Sequence, residues 1–251
     1  MRYLRYEYKG EVHFGLMEGD MAYELNGDYI FGAEKTGKVH PVNEIKMLAP
    51  YVPGKIIGVG ANYKSFLDSK KREYPVRPRI FQKPKTAVIN PGDPICLPDP
   101  SHEVHYEGEL AAVIGKTCSH VKAADAMDYI FGYTCINDVT DETMFKEDVI
   151  WARGKGCDTF APLGPVVVTE TIDPENAMLQ TKINGEIVQN RNTSDMHFHV
   201  PALIEFITAY ITLEPGDIIA TGTPAGVGCL HPGDVVEITI DGIGTLVNPV
   251  K

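Results

Sequence analysis

A short apolar run preceded by two glutamates is the segment that most restricts how this chain can fold. Residues 110–114 (LAAVI) end at Gly115, which is typical of a buried strand. Glu107 and Glu109 precede the run, and an extended backbone places both carboxylates on one face, roughly 6–7 Å apart. Gly108 between them lets a ligand or another backbone approach closely. Because like charges resist burial together, the segment predicts either a solvated strand end or a bound cation.

A third carboxylate follows another apolar strand. Residues 130–136 predict that strand, and Asp138 stands just beyond it, where sheets commonly present catalytic groups. Together with Glu107 and Glu109, Asp138 defines an oxygen-rich site that favours Mg²⁺ or Mn²⁺, with Ca²⁺ possible in crystals, over Zn²⁺ or Cu²⁺. His105 has the same strand parity as the glutamates, so it could line the same pocket. We expect it to form hydrogen bonds behind the ligands.

The composition excludes several classes of protein. The 251 residues carry 34 acidic and 23 basic side chains, a net charge of −11, with no basic stripe that would bind nucleic acid. The five cysteines are odd in number and lack a C-x-x-C pair, which disfavours a zinc knot or a disulfide framework. No segment resembles a signal peptide or a membrane span. We therefore expect a soluble cytoplasmic protein that binds neither nucleic acid nor membrane.

The remaining segments predict a fold that is mostly β with a few helices, of the α+β class. Residues 1–50 form a predicted N-terminal β module, with strands at 21–25 and 29–31 joined by a hairpin turn at 26–28. Residues 51–251 form the predicted main domain. Its clearest helix covers residues 201–210, and the residues that we expect on the core face of that helix are Leu203, Phe206, Ile207 and Tyr210.

Three further segments contain groups that suit anionic ligands. Residues 64–79 are polar and rich in Lys and Arg, and they predict either a solvated loop or a mobile lid in which Arg72, Arg77 or Arg79 attracts carboxylate substrates. Lys155 is flanked by glycines and could approach an anion closely. The glycine-rich loop 221–228 could direct backbone N–H groups and a threonine hydroxyl at an oxyanion.

Taken in order, these motifs resemble the fumarylacetoacetate hydrolase superfamily over roughly residues 52–250. The matching motifs are Asn62-Tyr63, Lys83-Pro84, His105-x-Glu107-x-Glu109-Leu110, Gly132-Tyr133-x-x-x-Asn137-Asp138-Val139-Thr140, Lys155-Gly156-x-Asp158-Thr159-Phe160-x-Pro162-x-Gly164-Pro165, and Pro215-Gly216-Asp217 through Thr221-Gly222-Thr223-Pro224-x-Gly226-Val227-Gly228. The resemblance implies a mixed β-sandwich or β-roll catalytic domain, a small N-terminal β module and a homodimer.

The resemblance also implies a chemistry and a set of site residues. It implies Mg²⁺ or Mn²⁺ held by Glu107, Glu109 and Asp138, and small-molecule substrates that are 2-oxo dicarboxylates or their enols. Lys155 and Thr223 match positions that contact the substrate or stabilise a developing enolate. The substrate-binding residues that we expect from the matched motifs and the basic segment are Asn62, Tyr63, Lys83, Gly222, Arg72 and Arg77.

The sequence departs from the family pattern where hydrolytic members place a water-activating dyad. Phe66 and Ser69 occupy the histidine and glutamate positions of that dyad, and phenylalanine cannot accept a proton. Asp68 or Glu73 could replace the missing base. A second position, often glutamine in the family, is Phe145 here.

Several functions stay open at this point. We expect an isomerase or tautomerase of the 2-hydroxyhepta-2,4-diene-1,7-dioate isomerase type, because metal polarisation of a 2-oxo acid survives the loss of the dyad. The alternatives are a C–C hydrolase of acylpyruvates or fumarylpyruvate, and an oxaloacetate decarboxylase. A third alternative, from another class, is a non-catalytic, metal-dependent binder of 2-oxo dicarboxylates.

Overall fold

The computed structural model describes residues 1–251 and consists mainly of strands, as the turn-punctuated sequence predicts. Its α-helices are α1 Lys64–Ser69, α2 Glu142–Glu147, α3 Ala152–Gly156 and α4 Val200–Thr208, and its 3-10 helices are Tyr29–Phe31, Val42–Glu44, Lys85–Ala87, Ala123–Tyr129 and Thr193–Asp195. Its strands are β1 Arg2–Tyr8, β2 Glu11–Glu18, β3 Met21–Leu25, β4 Lys35–Pro41, β5 Lys46–Leu48, β6 Ile56–Gly60, β7 Arg79–Lys83, β8 Val88–Ile89, β9 Val104–Tyr106, β10 Gly108–Ile114, β11 Ile130–Asn137, β12 Thr140–Asp141, β13 Ala161–Val168, β14 Met178–Ile183, β15 Glu186–Asn192, β16 Ile218–Ala220, β17 Gly228–Cys229, β18 Val235–Ile240 and β19 Gly244–Pro249.

One large sheet runs through the whole molecule. Its strand order is β4-β3-β2-β1-β13-β11-β10-β16-β6-β7, with β5 also paired to β1 and β8 to β13. The N-terminal strands join the rest through the antiparallel pair β1–β13, in which Arg2 lies opposite Val168. Residues 1–50 therefore extend the main sheet. Their treatment as a separate domain stays a prediction.

Strand β10 lies at the centre of the fold, and all seven of its residues are buried. Leu110, Ala112 and Ile114 belong to a core cluster of 37 buried residues, whereas Ala111 belongs to a second cluster of nine. Because the side chains of a strand alternate between its two faces, both faces of β10 are covered. Burying one side chain of the size of Leu110 contributes about 1.5–3 kcal/mol, so this strand is a firm base for the residues at its start.

Two smaller sheets complete the fold. The sheet β12-β9-β17 brings residues 104–106, 140–141 and 228–229 together. The sheet β15-β14-β18-β19 contains a hairpin at Asn184-Gly185, a dipeptide that by itself predicts such a turn, and its φ angles of 52° and 84° suit a tight two-residue turn.

Two local predictions were wrong. Residues 29–31 are a 3-10 helix and not a strand, because the Asp28 side chain caps it by accepting from Ile30 N at 2.9 Å; β3 pairs with β4 instead. On α4, Leu203 and Ile207 are buried as expected, but Tyr210 lies beyond the helix end and is 75% exposed. None of the helices has both the length and the apolar character needed to cross a membrane.

Candidate metal and substrate site

Three carboxylates meet at the edge where β10 begins and β11 ends. Gly108 lies opposite Asn137 in this antiparallel pair, so Glu107 and Glu109 come next to Asp138. The backbone N–H of Asp138 donates to Glu107 O at 2.9 Å, which fixes the two chain segments together. One ligand atom from each of the three carboxylates lies within 4.8 Å of the others. Sequence parity predicted the pair of glutamates, and strand pairing adds the aspartate.

Two buried lysines hold this acidic cluster. Lys155 Nζ donates to Asp138 Oδ2 at 2.7 Å and to Glu107 Oε2 at 2.9 Å. Lys83 Nζ lies 2.7 Å from Asp138 Oδ1 and donates to a backbone carbonyl oxygen at 3.1 Å. The cluster therefore has three carboxylates for two ammonium groups, and one negative charge is left uncompensated when all five are ionised.

The pKa directions follow this arrangement. Burial raises the pKa of Glu109 well above its usual value, and the charges of Asp138 and Glu107 raise it further. Burial also raises the pKa of Glu107, although Lys155 opposes the shift. Burial alone would raise the pKa of Asp138, but Lys155 and Lys83 outweigh it and the pKa is lowered. Glu109 is thus the carboxylate that most lacks a positive partner.

The donor set fits a hard divalent cation. Glu109 Oε2 accepts from the backbone N–H of Gly222 at 2.8 Å, and Glu107 Oε1 accepts from Thr140 Oγ1 at 2.9 Å. No protein group donates a hydrogen bond to Glu109 Oε1. Mg²⁺ and Mn²⁺ prefer such carboxylate oxygens, whereas thiols and imidazoles are missing from the cluster. The residues that would hold an ion are Glu107, Glu109 and Asp138.

The glycine-rich loop supports the carboxylates from behind. Gly222 has a φ of +98°, and a Cβ there would lie 2.8 Å from Asn62 Cβ, so the position requires glycine. Thr223 lines the cavity, but its Oγ1 donates to Gly108 O at 2.9 Å and accepts from Gln189 Nε2 at 2.8 Å. The Thr223 hydroxyl thus fixes the carbonyl of Gly108, which lies between the two glutamates.

Three of the expected substrate-binding residues lie behind the cavity surface. Asn62 uses its amide to bind the backbone of Phe198 at 2.9 Å and of Thr221 at 2.8 Å. Tyr63 and Lys83 are fully buried, and Lys83 contacts Asp138 instead of the cavity. In this structure these residues position the loops and the carboxylate that surround the site.

The basic segment contributes three cations to the cavity. Lys70, Arg72 and Arg79 line it, and none of them has an acidic partner within 4 Å. Arg77 does not line it. Of the two arginines that we expected to bind substrate, the structure therefore brings Arg72 to the site but not Arg77.

The position where hydrolytic members of the family have the histidine of the dyad holds an aromatic ring, as the sequence indicates. Phe66 lines the cavity, and Ser69 Oγ donates to the Phe66 carbonyl oxygen at 2.8 Å. Neither Asp68 nor Glu73 lines the cavity, and Asp68 accepts a hydrogen bond from Tyr74 OH at 2.9 Å. The two carboxylates that could have replaced the missing base are therefore not at the site.

Other elements supply two proton acceptors. His105 lines the cavity from β9, and burial lowers its pKa. It forms no hydrogen bond with the three carboxylates, so the supporting role that we expected for it is not seen. Glu142, the first residue of α2, lines the cavity as well.

Sequence reasoning missed several residues at the site. Thr140 lay inside a recognised motif, but its contact with Glu107 depends on the pairing of distant segments. No motif or spacing in the sequence indicated that Gln189 lies at the site. Phe81 and Trp151 also line the cavity, and a lone aromatic residue in a short strand or loop is normally interpreted as core.

Comparison with known proteins places the chain in a family. Residues 55–251 match the model described as fumarylacetoacetate (FAA) hydrolase, C-terminal, and residues 1–50 match the model described as Rv2993c-like, N-terminal. The first match covers well over half of the chain. The chain therefore belongs to the fumarylacetoacetate hydrolase family, as its motifs predicted.

Three relatives show the range of activities named within this family. A solved structure of 2-hydroxyhepta-2,4-diene-1,7-dioate isomerase from Mycobacterium marinum is 44% identical, with a TM-score of 0.93, and covers 100% of this chain and 98% of its own. Mitochondrial oxaloacetate tautomerase from Xenopus laevis is 43% identical over 83% of this chain and 69% of its own. Maleylpyruvate hydrolase from Sphingobium sp. SYK-6, solved with manganese(II) and pyruvate, is 31% identical, with a TM-score of 0.83, and covers 100% of this chain and 98% of its own.

Proposed function

We propose that this protein is a divalent-metal-dependent isomerase or tautomerase of 2-oxo acids, of the 2-hydroxyhepta-2,4-diene-1,7-dioate isomerase type. The observation that carries the proposal is the cluster of Glu107, Glu109 and Asp138 at the edge of a cavity in which Phe66 occupies the place of the dyad histidine. The names of the Mycobacterium isomerase and the Xenopus tautomerase support it. The manganese and pyruvate in the Sphingobium enzyme support Mg²⁺ or Mn²⁺ as the ion and a 2-oxo acid as the ligand.

The residues around the cluster suit a reaction that moves one proton. The ion, when bound, would polarise the oxygens of a 2-oxo acid and acidify the neighbouring C–H. When that proton passes to an acceptor that lines the cavity, such as His105 or Glu142, its bonding electrons shift towards the 2-oxo oxygen, where the ammonium of Lys155 favours negative charge. Returning the proton to a different atom completes a tautomerisation or a double-bond shift. The unpaired Lys70, Arg72 and Arg79 would attract an anionic substrate such as a 2-oxo dicarboxylate.

C–C hydrolysis is the second candidate, because His105 and Glu142 line the cavity and could activate a water molecule. The resemblance to maleylpyruvate hydrolase favours this alternative. Phe66, however, stands in the place of the dyad histidine and cannot act as a base, and positioned general-base help is worth about 10²–10⁴-fold. We therefore expect tautomerisation to exceed acylpyruvate cleavage by a wide margin.

The test measures ketonisation of enol-oxaloacetate and cleavage of an acylpyruvate, each with and without Mg²⁺. We expect Mg²⁺-dependent ketonisation, little cleavage, and loss of activity in Lys155→Met. The double variant Phe66→His with Ser69→Glu should gain cleavage. Efficient cleavage by the unmodified protein would favour the hydrolase, and binding without turnover would favour a non-catalytic binder. The homodimer implied by the family resemblance stays a prediction, which light scattering on an eluting column peak would check.

A further inference from the structure

Two glycines of β6 make room for aromatic rings beside the metal-binding cluster. A Cβ at Gly58 would collide with the ring of Phe81, and a Cβ at Gly60 would lie 3.1 Å from Trp151 Cζ3. Gly58 and Gly60 are two residues apart on a strand and share one face. The glycines of this strand therefore allow Phe81 and Trp151 to lie against its backbone.

The rings form a continuous wall that begins at the buried lysine. The Phe81 ring centroid lies 4.9 Å from Lys155 Nζ. Trp151 meets Phe81 edge-on at 5.8 Å between ring centroids, and Phe145 stacks on Trp151 at 4.9 Å with an interplanar angle of 28°. These spacings are those of attractive aromatic pairs. We call Phe81, Trp151 and Phe145 the aromatic wall.

The aromatic wall is a cavity surface and not part of the protein core. All three rings line the same cavity as Glu107 and Glu109, and all three are only partly buried. Aromatic side chains contribute most to the binding free energy when they are fully buried, and a planar group that stacks on them buries them best. The cluster would hold the acid end of a ligand, so the wall faces the next part of that ligand.

We propose that the aromatic wall binds a planar aryl group attached to the enolisable carbon, so that an aryl-substituted 2-oxo acid is a better substrate than a compact dicarboxylate such as oxaloacetate. This inference rests on the proposed function, because the metal-binding cluster fixes the 2-oxo acid end. Lys70, Arg72 and Arg79 attract the doubly charged oxaloacetate more strongly than a singly charged aryl acid, but all three side chains are exposed and salt screens that preference. The aromatic wall therefore determines whether an aryl group or a carboxylate on the enolisable carbon is bound more tightly.

Phenylpyruvate and oxaloacetate are the matched pair for the test, because they differ only in the phenyl or carboxylate group on the enolisable carbon. Binding in the presence of Mg²⁺ is followed by the fluorescence of Trp151, the single tryptophan of the chain. Ketonisation of the two enols is measured in parallel. We expect the wild type to bind phenylpyruvate at least about tenfold more tightly and to show a similar preference in kcat/KM.

Phe145→Leu removes one ring while keeping an apolar side chain. An aromatic pair is worth about 0.5–1.5 kcal/mol beyond its buried area, which corresponds to roughly 2- to 13-fold. We expect phenylpyruvate binding to weaken by that factor while oxaloacetate binding stays within about twofold. The control is Phe31→Leu, which removes a 70% exposed ring that does not line the cavity. An unchanged melting temperature would show that Phe145→Leu is folded.

The two proposals fail in different ways. Equal or tighter binding of oxaloacetate by the wild type, or an equal loss for both ligands in Phe145→Leu, overturns the role of the aromatic wall and leaves the proposed function standing. Selective binding of phenylpyruvate without ketonisation of either enol supports the wall and overturns the tautomerase. Binding of neither acid with Mg²⁺ overturns both.

Discussion

Glu109 is the residue on which metal binding depends most directly. It is 1% exposed, and it is the carboxylate of the cluster that contacts neither Lys155 nor Lys83. We expect Glu109→Gln to weaken Mg²⁺ or Mn²⁺ binding by more than tenfold, because a neutral amide replaces a charged ligand. Calorimetric titration of the metal measures this. The matched control is Glu103→Gln, whose side chain is 58% exposed, and wild-type affinity in Glu109→Gln would remove it from the metal site.

His102 gives the molecule a pH-dependent contact outside the cluster. Its Nδ1 lies 2.7 Å from Asp141 Oδ2; this hydrogen bond raises the pKa of His102 above the ordinary 6.5, and burial opposes the rise only in part. A raised histidine pKa stabilises the fold below the unfolded value of 6.5, and this stabilisation is lost as the pH rises through the folded pKa. We expect the melting temperature of His102→Gln to fall below that of the wild type mainly under pH 6.5.

The matched control for this contact is His231→Gln. His231 is 74% exposed, and its Nδ1 lies 3.6 Å from Asp234 Oδ2, which is a longer and weaker contact. Melting curves between pH 5 and 8 check the prediction. A melting-temperature difference for His102→Gln that does not change with pH would show that the Asp141 contact is not sensitive to protonation. Asp141 also caps α2 by accepting from Met144 N at 2.8 Å, so it holds that helix independently of His102.

At the scale of single residues, the sequence predicted which carboxylates lie at the site better than it predicted which residues they contact. Glu107 and Glu109 share a face because strand residues alternate, and no tertiary information is needed for that. The buried contact between Lys83 and Asp138 joins residues 55 positions apart, and nothing local to either one indicates it. The matched family motif led us to expect a substrate contact for Lys83, and in the structure Lys83 contacts Asp138.

Among the elements, the segment between α1 and β7 contributes cations that line the cavity. It contains Arg72, which lines the cavity, and Arg77, which does not, and both arginines are exposed. We expect Arg72→Gln to raise KM by roughly 3- to 10-fold, as for the loss of one charge-assisted contact at an exposed site. Arg77→Gln should leave KM unchanged and is the matched control. Steady-state kinetics with a 2-oxo acid measures KM for both variants. An equal rise in KM for Arg72→Gln and Arg77→Gln would indicate general electrostatic attraction and not a contact of Arg72 with the substrate.

Elements defined by local pattern were predicted, and elements defined by long-range pairing were not. Strands β10 and β11, the hairpin at Asn184-Gly185 and helix α4 each have a periodicity or turn signal of their own. The sheet β12-β9-β17 combines strands of two or three residues from three distant parts of the chain. Such short strands have no period to detect, yet they bring His105 and Thr140 to the cavity.

At the scale of the whole molecule, the N-terminal strands stabilise the main sheet. Strand β1 covers the edge of β13, and the Arg2 guanidinium donates to Gly242 O at 3.0 Å and to Ile243 O at 2.7 Å. The Tyr29 ring stacks on Phe131 with 5.4 Å between centroids. These contacts join residues more than a hundred positions apart. Sequence alone indicated two units because the turn signals and prolines near residue 50 resemble a boundary.

Removing residues 1–50 should therefore destabilise the rest of the chain. The deletion exposes the edge of β13 together with the core residues Val166 and Val168, and an unprotected apolar edge strand promotes aggregation. We expect the fragment 51–251 to be insoluble or to melt well below the full chain, and the full chain to unfold in one transition. Calorimetry and size-exclusion chromatography measure both. The matched control is Arg2→Ala in the full chain, which removes only the Arg2 contacts with Gly242 and Ile243 and should lower the melting temperature by a few degrees. A fragment as stable as the full chain, or two separate transitions, would show that the N-terminal strands form an independent domain.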